Sequence, residues 1–500
     1  MASKALLFVT GSGGLSQYSA ALLPWYSDKM KTQGFILATT ALVVLPGDAH
    51  AAGMLDGAAL KWPFALPFVG LLLSIATGPL FVPKLWHGHY GKVAAAWSAL
   101  TLGLIAWVAG GAAMLAAFTQ AMLGEYLSFI VLLFALYTVA GGIVVSGDIR
   151  ATPWTNTAVL AIGTAMASIV GTTGAAMILI RPLIRANAWR RHNTHVVIFF
   201  IILVGNVGGA LSPLGDPPLF IGFLHGVDFF WPARNLWVQT AIVAGALLVM
   251  FLLLDLRRFR GSRSAPSSAP IRIRGLANIA LIAAIISSIL LSAVWRPSIA
   301  VDVFGTRLEL QNLVRDALLV VMALLSLWLT PDEHRDANEF TWEPIREVAK
   351  LFAGIFTAII PVLAMLQAGR GGAFGWLLSA VTAPDGSPRE VAYFWTTGLM
   401  SAFLDNAPTY LLFFQLAGGE AQAMMGKLSG TLASISMGAV YMGALTYIGN
   451  APNFMVAAIA NERGIRMPNF FGYLAWAAAI MVAPLILLIL LPVAPVLRIH

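Results

Sequence analysis

From about residue 60 to residue 493 the chain is a succession of apolar stretches of bilayer-spanning length with short breaks between them. A bilayer core about 30 Å thick takes about 20 apolar residues per helix. Inside it every backbone polar group must be bonded within the protein, which leaves only helices and closed barrels. The runs are continuous rather than alternating over ten residues, so a barrel is excluded and the fold class is all-α, polytopic, with room for about eleven membrane helices. With 59% hydrophobic and 10% charged residues, almost nothing remains for a soluble catalytic head. The absence of Cys removes disulfides, thiolate metal sites and cysteine nucleophiles. The net charge of +8 comes mostly from basic residues in short loops, which points to membrane topology and not to nucleic acid.

Continuous spans are expected near 63–83, 93–121, 125–147, 195–224, 236–256, 276–295, 313–330, 349–368, 428–461 and 470–493. Two further stretches, near 155–184 and 391–417, are interrupted by turn-like clusters, Gly171-Thr172-Thr173-Gly174 and Leu404-Asp405-Asn406-Ala407-Pro408. Each half is too short to cross, so these read as re-entrant hairpins. The loop from Arg257 to Arg274 holds six Arg and no acidic residue, and Arg185, Arg190 and Arg191 follow the first hairpin. Both loops are therefore expected in the cytoplasm of a bacterial inner membrane. Counting back puts residue 52 outside. Lys29-Met30-Lys31, a twelve-residue apolar run and Ala49-His50-Ala51 have the layout of a secretory signal peptide over 30–51, with translation starting at Met30 and a periplasmic mature N-terminus.

The chain carries an internal repeat, as transporter folds often do. GALSPLGDPPLF, Gly209 to Phe220, matches GALTYIGNAPNF, Gly443 to Phe454, with Ser212 against Thr446 and Asp216 against Asn450. The hairpin clusters precede these by nearly equal intervals, aligning Ser168-x-x-Gly171-Thr172-Thr173 with Ser401-x-x-Leu404-Asp405-Asn406. Two repeats follow, 63–256 and 276–493, joined by a cytoplasmic linker, 257–275. Each has five crossings, one hairpin and one broken helix, and odd counts invert the topology, so the hairpins enter from opposite faces and their tips meet near the midplane.

Each interruption is also a helix start, with Asp216, Asn406, Asn450 and Thr173 in capping positions. Unwound carbonyls with Asp, Asn, Ser and Thr oxygens suit a hard cation such as Na+, while free N–H groups and positive dipole ends suit a carboxylate. Asp216 and Asp405 could serve as caps alone, yet a carboxylate at membrane depth costs several kcal/mol that Asn, Ser or Thr would avoid. A functional role is therefore expected for Asp405 and, beside it, for Asp216. Asp255, Glu125 and Asp148, at span ends, read as solvated or interfacial, and His87 and His89, in WHGHYGK, as parts of a cytoplasmic turn. No HExxH, Ser/His or clustered His/carboxylate motif lies in the spans, so an enzyme is not expected.

GGALSPLGDPPLFIGF and SAFLDNAPTYLLFF resemble the ion-transporter superfamily, in its arsenite-permease, sodium–proton-antiporter and citrate-transporter-like branches, over residues 60 to 493. The resemblance implies a homodimer whose transport domain moves like an elevator against a scaffold. The spans near 236–256 and 470–493 are expected to stay with that scaffold. In the dicarboxylate branch Ser-Asn-Thr at each hairpin tip binds Na+ and substrate carboxylate; here those places hold Gly171-Thr172-Thr173 and Asp405-Asn406-Ala407. A titratable group thus replaces an amide, and the leading expectation is a Na+/H+ antiporter in which Asp405 binds Na+ and H+ alternately. The Na+ site is expected at Asp405, Asn406, Thr172 and Thr173, with the carbonyls around Gly449 and Asn450. Asp216, with Ser168, Gly171, Ser212 and Gly215, and Ser401 with Thr446, complete the pseudo-symmetric site. The alternative is a Na+- or H+-coupled carboxylate carrier, with citrate a candidate. Partners beyond the lipid bilayer are small ions or a small carboxylate; no cofactor is expected apart from Na+ and H+ as coupling ions. N-terminal sequencing of the mature protein should begin just after Ala51; a chain retaining residues 30–51 would make that stretch a membrane anchor.

Overall fold

The computed structural model describes residues 55–147, 149–259 and 270–490. The extension and signal peptide expected over 1–51, Asp148 and part of the basic linker lie outside the described residues. Among them, seven helical stretches are long and apolar enough to cross a membrane, or eight if the bent pair Glu343–Ala358 and Ile360–Gln367 is one span. The chain is thus a multi-pass helical membrane protein.

Pro at the first helical position, with its φ already set, starts several helices. Pro83 ends the turn after α1 (Leu66–Phe81) and opens α2 (Pro83–Thr119). WHGHYGK is therefore helix and not the expected turn. His87 and His89 point their Nδ1 atoms at the carbonyls of Pro83 and Leu85 in their own helix, at 2.7 and 3.1 Å. From Pro83 helix continues through the π-helical Gln120–Tyr126 to the end of α3 (Leu127–Ala140). Those 58 residues would reach about 87 Å if straight, far more than one bilayer. The break is at Gly110, where φ is +86°, and not near residue 123 as hydropathy suggested. A later helix, α12 (Glu343–Ala358), shows that direction reverses there. Along it Glu343 meets Tyr90 and Gly354 meets Ala94, while Trp342 stacks on Phe134 and Phe352 on Phe129. The partners rise in number on one flank and fall on the other.

The hairpins form as expected: α4 (Pro153–Val170) with α5 (Thr172–Asn187), and α15 (Glu390–Leu404) with α16 (Asn406–Leu416). The two broken helices are α6 (Thr194–Leu203) with α7 (Pro217–Leu224), and α18 (Ser429–Met442) with α19 (Ala451–Glu462). Short 3-10 turns, Val207–Leu211 and Gly443–Leu445, lie inside the breaks.

Two strand pairs mark opposite ends of the molecule. β1 (Val144–Ser146) pairs antiparallel with β2 (Arg272–Arg274), Val144 opposite Arg274, and Arg185 near the open end of the first hairpin reaches the Val145 carbonyl. At the other end, β3 (Ala300–Val303) pairs with β4 (Thr306–Glu309), where Thr306 donates to Thr119. The open end of the second hairpin belongs there: Phe414 packs on His225, which lies 3.8 Å from Glu125.

The helices pack as two sets. One comprises α1, α2, α3, α9 (Leu276–Val294), α10 (Leu310–Leu329) and α12; the other comprises the hairpins and broken helices. The spans α8 (Trp231–Phe259) and α20 (Phe470–Leu490) join the second set, contrary to expectation. The reason is Asp255 near the end of α8, which is fully buried and not solvated. Arg190 Nη1 donates to it at 3.0 Å and Nη2 stands 2.7 Å away in an ion pair, His195 Nε2 lies 2.8 Å away, and Asn156 donates to it at 3.2 Å. One carboxylate thereby pins α8 to the first leg of the first hairpin, to the loop after its second leg and to α6. Removing one member of a buried ion pair strands the other, at about 3–5 kcal/mol. Asp255→Ala should accordingly lower the thermal unfolding midpoint of the detergent-solubilised protein by many degrees, whereas an unchanged midpoint would mean that α8 is held by apolar packing alone.

Candidate functional site

At each hairpin tip one residue takes a backbone conformation that links the two legs without a longer loop: Gly171 at φ 82°, ψ 152° and Asp405 at φ 72°, ψ 144°. Glycine occupies this region freely; for Asp it is strained by about 1–3 kcal/mol. The next residue of each tip then donates its N–H into a broken helix, Thr172 to the Gly215 carbonyl at 2.8 Å and Asn406 to the Gly449 carbonyl at 3.1 Å. Gly215 and Gly449 must lack side chains, because a Cβ would stand 2.2 and 2.4 Å from the Gly209 and Gly443 carbonyl oxygens.

These bonds correct the hairpin alignment by one residue. Gly171 matches Asp405, Thr172 matches Asn406 and Ser168 matches Ala402, all at the offset of 234 positions that relates Asp216 to Asn450. Ser212 and Thr446 obey it, donating to the Ser168 and Ala402 carbonyls. Ser168 donates to the Gly208 carbonyl at 2.5 Å, and Ser401 to that of Ala439 at 2.7 Å. The four hydroxyls expected to face a ligand are thus clamps that fasten each hairpin to a broken helix.

Asp216 is where the segments converge. It is 1% exposed. Thr172 Oγ1 and Asn450 Nδ2 donate to its Oδ1 at 3.1 and 2.8 Å, and Asn406 Nδ2 donates to its Oδ2. Both hairpin tips and the second broken helix therefore meet on a carboxylate from the first. All three donors are neutral, and no cationic side chain bonds Asp216 among the described residues. The capping roles are exchanged relative to expectation: Asp216 stands at the N-cap position of α7 without making a capping bond, while Asp405 accepts the Ala407 N–H at 3.2 Å. Asp405 is only partly buried and within electrostatic reach of Asp216.

Two residues that sequence reasoning passed over hold this arrangement. Asn206 donates to Asn453 Oδ1 at 2.7 Å and accepts from Asn450 at 3.3 Å, and Asn453 donates to the Gly443 and Thr446 carbonyls at 2.8 Å. An amide inside the apolar run IILVGNVGG was the available signal for Asn206. The Oδ1 of Asn406 is buried beside Asp216 with no hydrogen-bond partner, an open acceptor. With the hydroxyl and carbonyl oxygens nearby it is the donor type that hard cations take. No cluster of three His, Cys, Asp or Glu suited to a transition metal occurs among the described residues. The expected Na+ ligands Thr172 and Asn406 turn toward Asp216, so the set centres on that residue and not on Asp405. Thr173 stays free to face the cavity.

That cavity, of about 540 Å³, has Thr173, Asp216, Asp405 and Asn450 in its wall, between α5 and α19 of one helix set and α3 and α12 of the other. It runs toward the end of the molecule carrying β1 and β2, past Glu343, Glu347, Glu339, Glu462 and Arg181. Six carboxylates thus line it against one guanidinium.

Half-helices ending on a buried polar site beside a cavity define the class: a multi-pass membrane transporter. Residues 57–493 match the model of the family described as putative citrate transport, and the chain belongs to that family. No curated protein matches the chain. The tip geometry is open to a stability test. Gly171→Ala should cost about 1–3 kcal/mol, since it forces alanine into the strained region with the Leu214 carbonyl 3.2 Å from the new methyl. Asp405→Gly should leave stability within about 1 kcal/mol of wild type, because relief of strain offsets the lost cap; unfolding midpoints in detergent check both.

Proposed function

We propose that the chain is a secondary active transporter exchanging Na+ for H+ by alternating access, with Asp216 as the coupling carboxylate and Asp405 as its neighbour on the cavity side. The observation that carries this reading is the burial of Asp216 among neutral donors only. A carboxylate at that depth costs several kcal/mol unless a proton or a cation neutralises it. One group that must hold one or the other, and cannot hold both, suffices for exchange. The six carboxylates of the cavity favour a cationic cargo through their field.

The constant offset of 234 and the opposite placement of the hairpin openings support two inverted-topology repeats. The packing of α8 and α20 with the hairpins supports a mobile body of that composition, sliding like an elevator against α1–α3, α9, α10 and α12. Arg185, Arg190, Arg257, Arg258, Arg272 and Arg274 cluster toward the β1–β2 end, which supports a cytoplasmic placement of that face in an inner membrane and hence a cavity open to the cytoplasm.

A second reading, cation-coupled transport of a carboxylate such as citrate, is favoured by the family and by the first turn of α5. Helix-start N–H groups at Thr173 and Gly174 have no carbonyl one turn earlier to bond, and both residues border the cavity. Reconstitution in proteoliposomes separates the two. An imposed Na+ gradient should drive H+ movement without any added anion, Asp216→Asn should abolish it, and Asp405→Asn should weaken it. Flux that appears only with citrate present would assign the site to the second reading; normal exchange by Asp216→Asn would remove that residue from the mechanism.

A further inference from the structure

Glu339 lies in the loop between a short helix, α11 (Asp332–Ala337), and α12, at the mouth of the cavity. Its Oε2 is 3.2 Å from Arg181 Nε, and its Oε1 binds Arg463 Nη2. Arg181 is on α5 in the first hairpin and Arg463 directly follows α19 of the second broken helix. Two cations from the two halves of one helix set therefore converge on a single carboxylate of the other set. The carboxylate is held on a stiff mount. Asn338 donates to the Gly141 and Ile143 carbonyls at 3.0 and 2.7 Å, and Tyr137 donates to the Thr341 carbonyl at 2.7 Å. Between those anchors Glu339 takes φ +48°, a left-handed conformation that non-glycine residues keep only when the surroundings enforce it.

We propose that Glu339 is a latch that holds the mobile body in the conformation with the cavity open toward this face, and that both ion pairs break each time the body moves. The proposal rests on the alternating-access reading and adds to it the residue that sets the balance between its two states. Arg181 and Arg463 are close enough to repel each other, so the carboxylate between them neutralises a cost that would otherwise fall on this state. Release leaves no stranded guanidinium, because Glu462 travels with Arg463 and lies within electrostatic reach of Arg181. The latch is weak enough to open: Glu339 is 46% exposed, so solvent reaches its carboxylate, screens the pair with exposed Arg463 and can hydrate Glu339 as it leaves the buried Arg181.

The natively cysteine-free chain allows a direct test. Ile448→Cys places one thiol in the cavity wall beside the second break. A membrane-impermeant thiol reagent is applied to vesicles of each orientation, with and without Glu339→Gln. One exposed pair and one with a buried guanidinium set the scale of the effect. Glu339→Gln should slow labelling from the Glu339 face and speed it from the opposite face, each by roughly two- to tenfold. Arg463→Gln should act in the same direction with a smaller effect. Labelling from both faces at rates that Glu339→Gln does not change overturns the latch and leaves alternating access standing. Faster labelling from both faces at once shows a loosened fold and also overturns it. Labelling from one face only, in both backgrounds, removes alternating access and the latch together.

Discussion

A carboxylate buried in the protein interior and bonded only by neutral groups is the constraint around which the rest is arranged. Asp216 needs three donors, and they come from elements far apart in sequence: Thr172, Asn406 and Asn450. To bring them there, two helices must stop halfway and turn back, and two more must unwind. The unwound backbone in turn needs partners, because free N–H and C=O groups cannot be left in hydrocarbon. Ser168, Ser212, Ser401 and Thr446 supply them, as do Asn206 and Asn453. These buried polar groups therefore let the chain break where Asp216 requires it.

Hydropathy made the breaks visible, because a polar cluster inside an apolar run is costly at membrane depth unless the helix stops there and the cluster finds partners. The internal match from Gly209 to Phe220 gave away the repeat for the same reason: such clusters are too costly to occur twice by accident. Less accessible was anything that depends on which atom meets which. The one-residue slip in the hairpin alignment arose because Ser168 and Ser401 share a side chain but not a position; backbone bonds, not residue types, define the match. The capping roles of Asp216 and Asp405 were exchanged because propensity ranks both alike, and only the surrounding donors distinguish them. The side on which α8 packs is decided by Asp255 meeting Arg190 and His195, groups more than 50 residues away in sequence. The turn at Gly110 escaped notice because Gly110-Gly111 lies inside an unbroken apolar stretch, where positive φ leaves no mark on hydropathy.

Both helix sets are joined internally by buried polar bonds, in the first set at Asn278, Arg315 and Arg335. Within the set that holds Asp216, buried polar bonds tie element to element, as at Asp255 and along Asn206, Asn450 and Asn453. Between the sets the polar contacts described above are fewer and mostly more exposed: Arg185 with the Val145 carbonyl, Glu339 with its two Arg, and Glu125 with His225. Strong internal bonding with weaker cross-bonding is the pattern that the proposed sliding of one body against the other requires, since such motion would break few buried interactions.

The departures from repeat symmetry follow from electrostatics. If position 450 carried Asp to match Asp216, two carboxylates would face each other across the 2.8 Å that now separates the Asn450 amide from Asp216. Two such charges about 4 Å apart repel by about 4 kcal/mol at an effective dielectric of 20. Asn at 450 turns that repulsion into a hydrogen bond, so only one repeat can supply a carboxylate from its broken helix. The second acidic group stands instead at a hairpin tip, where Gly171 is its counterpart and where the cavity reaches it. That placement is strained for any residue but glycine, and Asn or Ser would cap there as well as Asp does, so capping alone does not account for a carboxylate. The cost is understandable if Asp405 must stay close enough to Asp216 to sense whether that residue is neutralised, and open enough to the cavity to meet what arrives there.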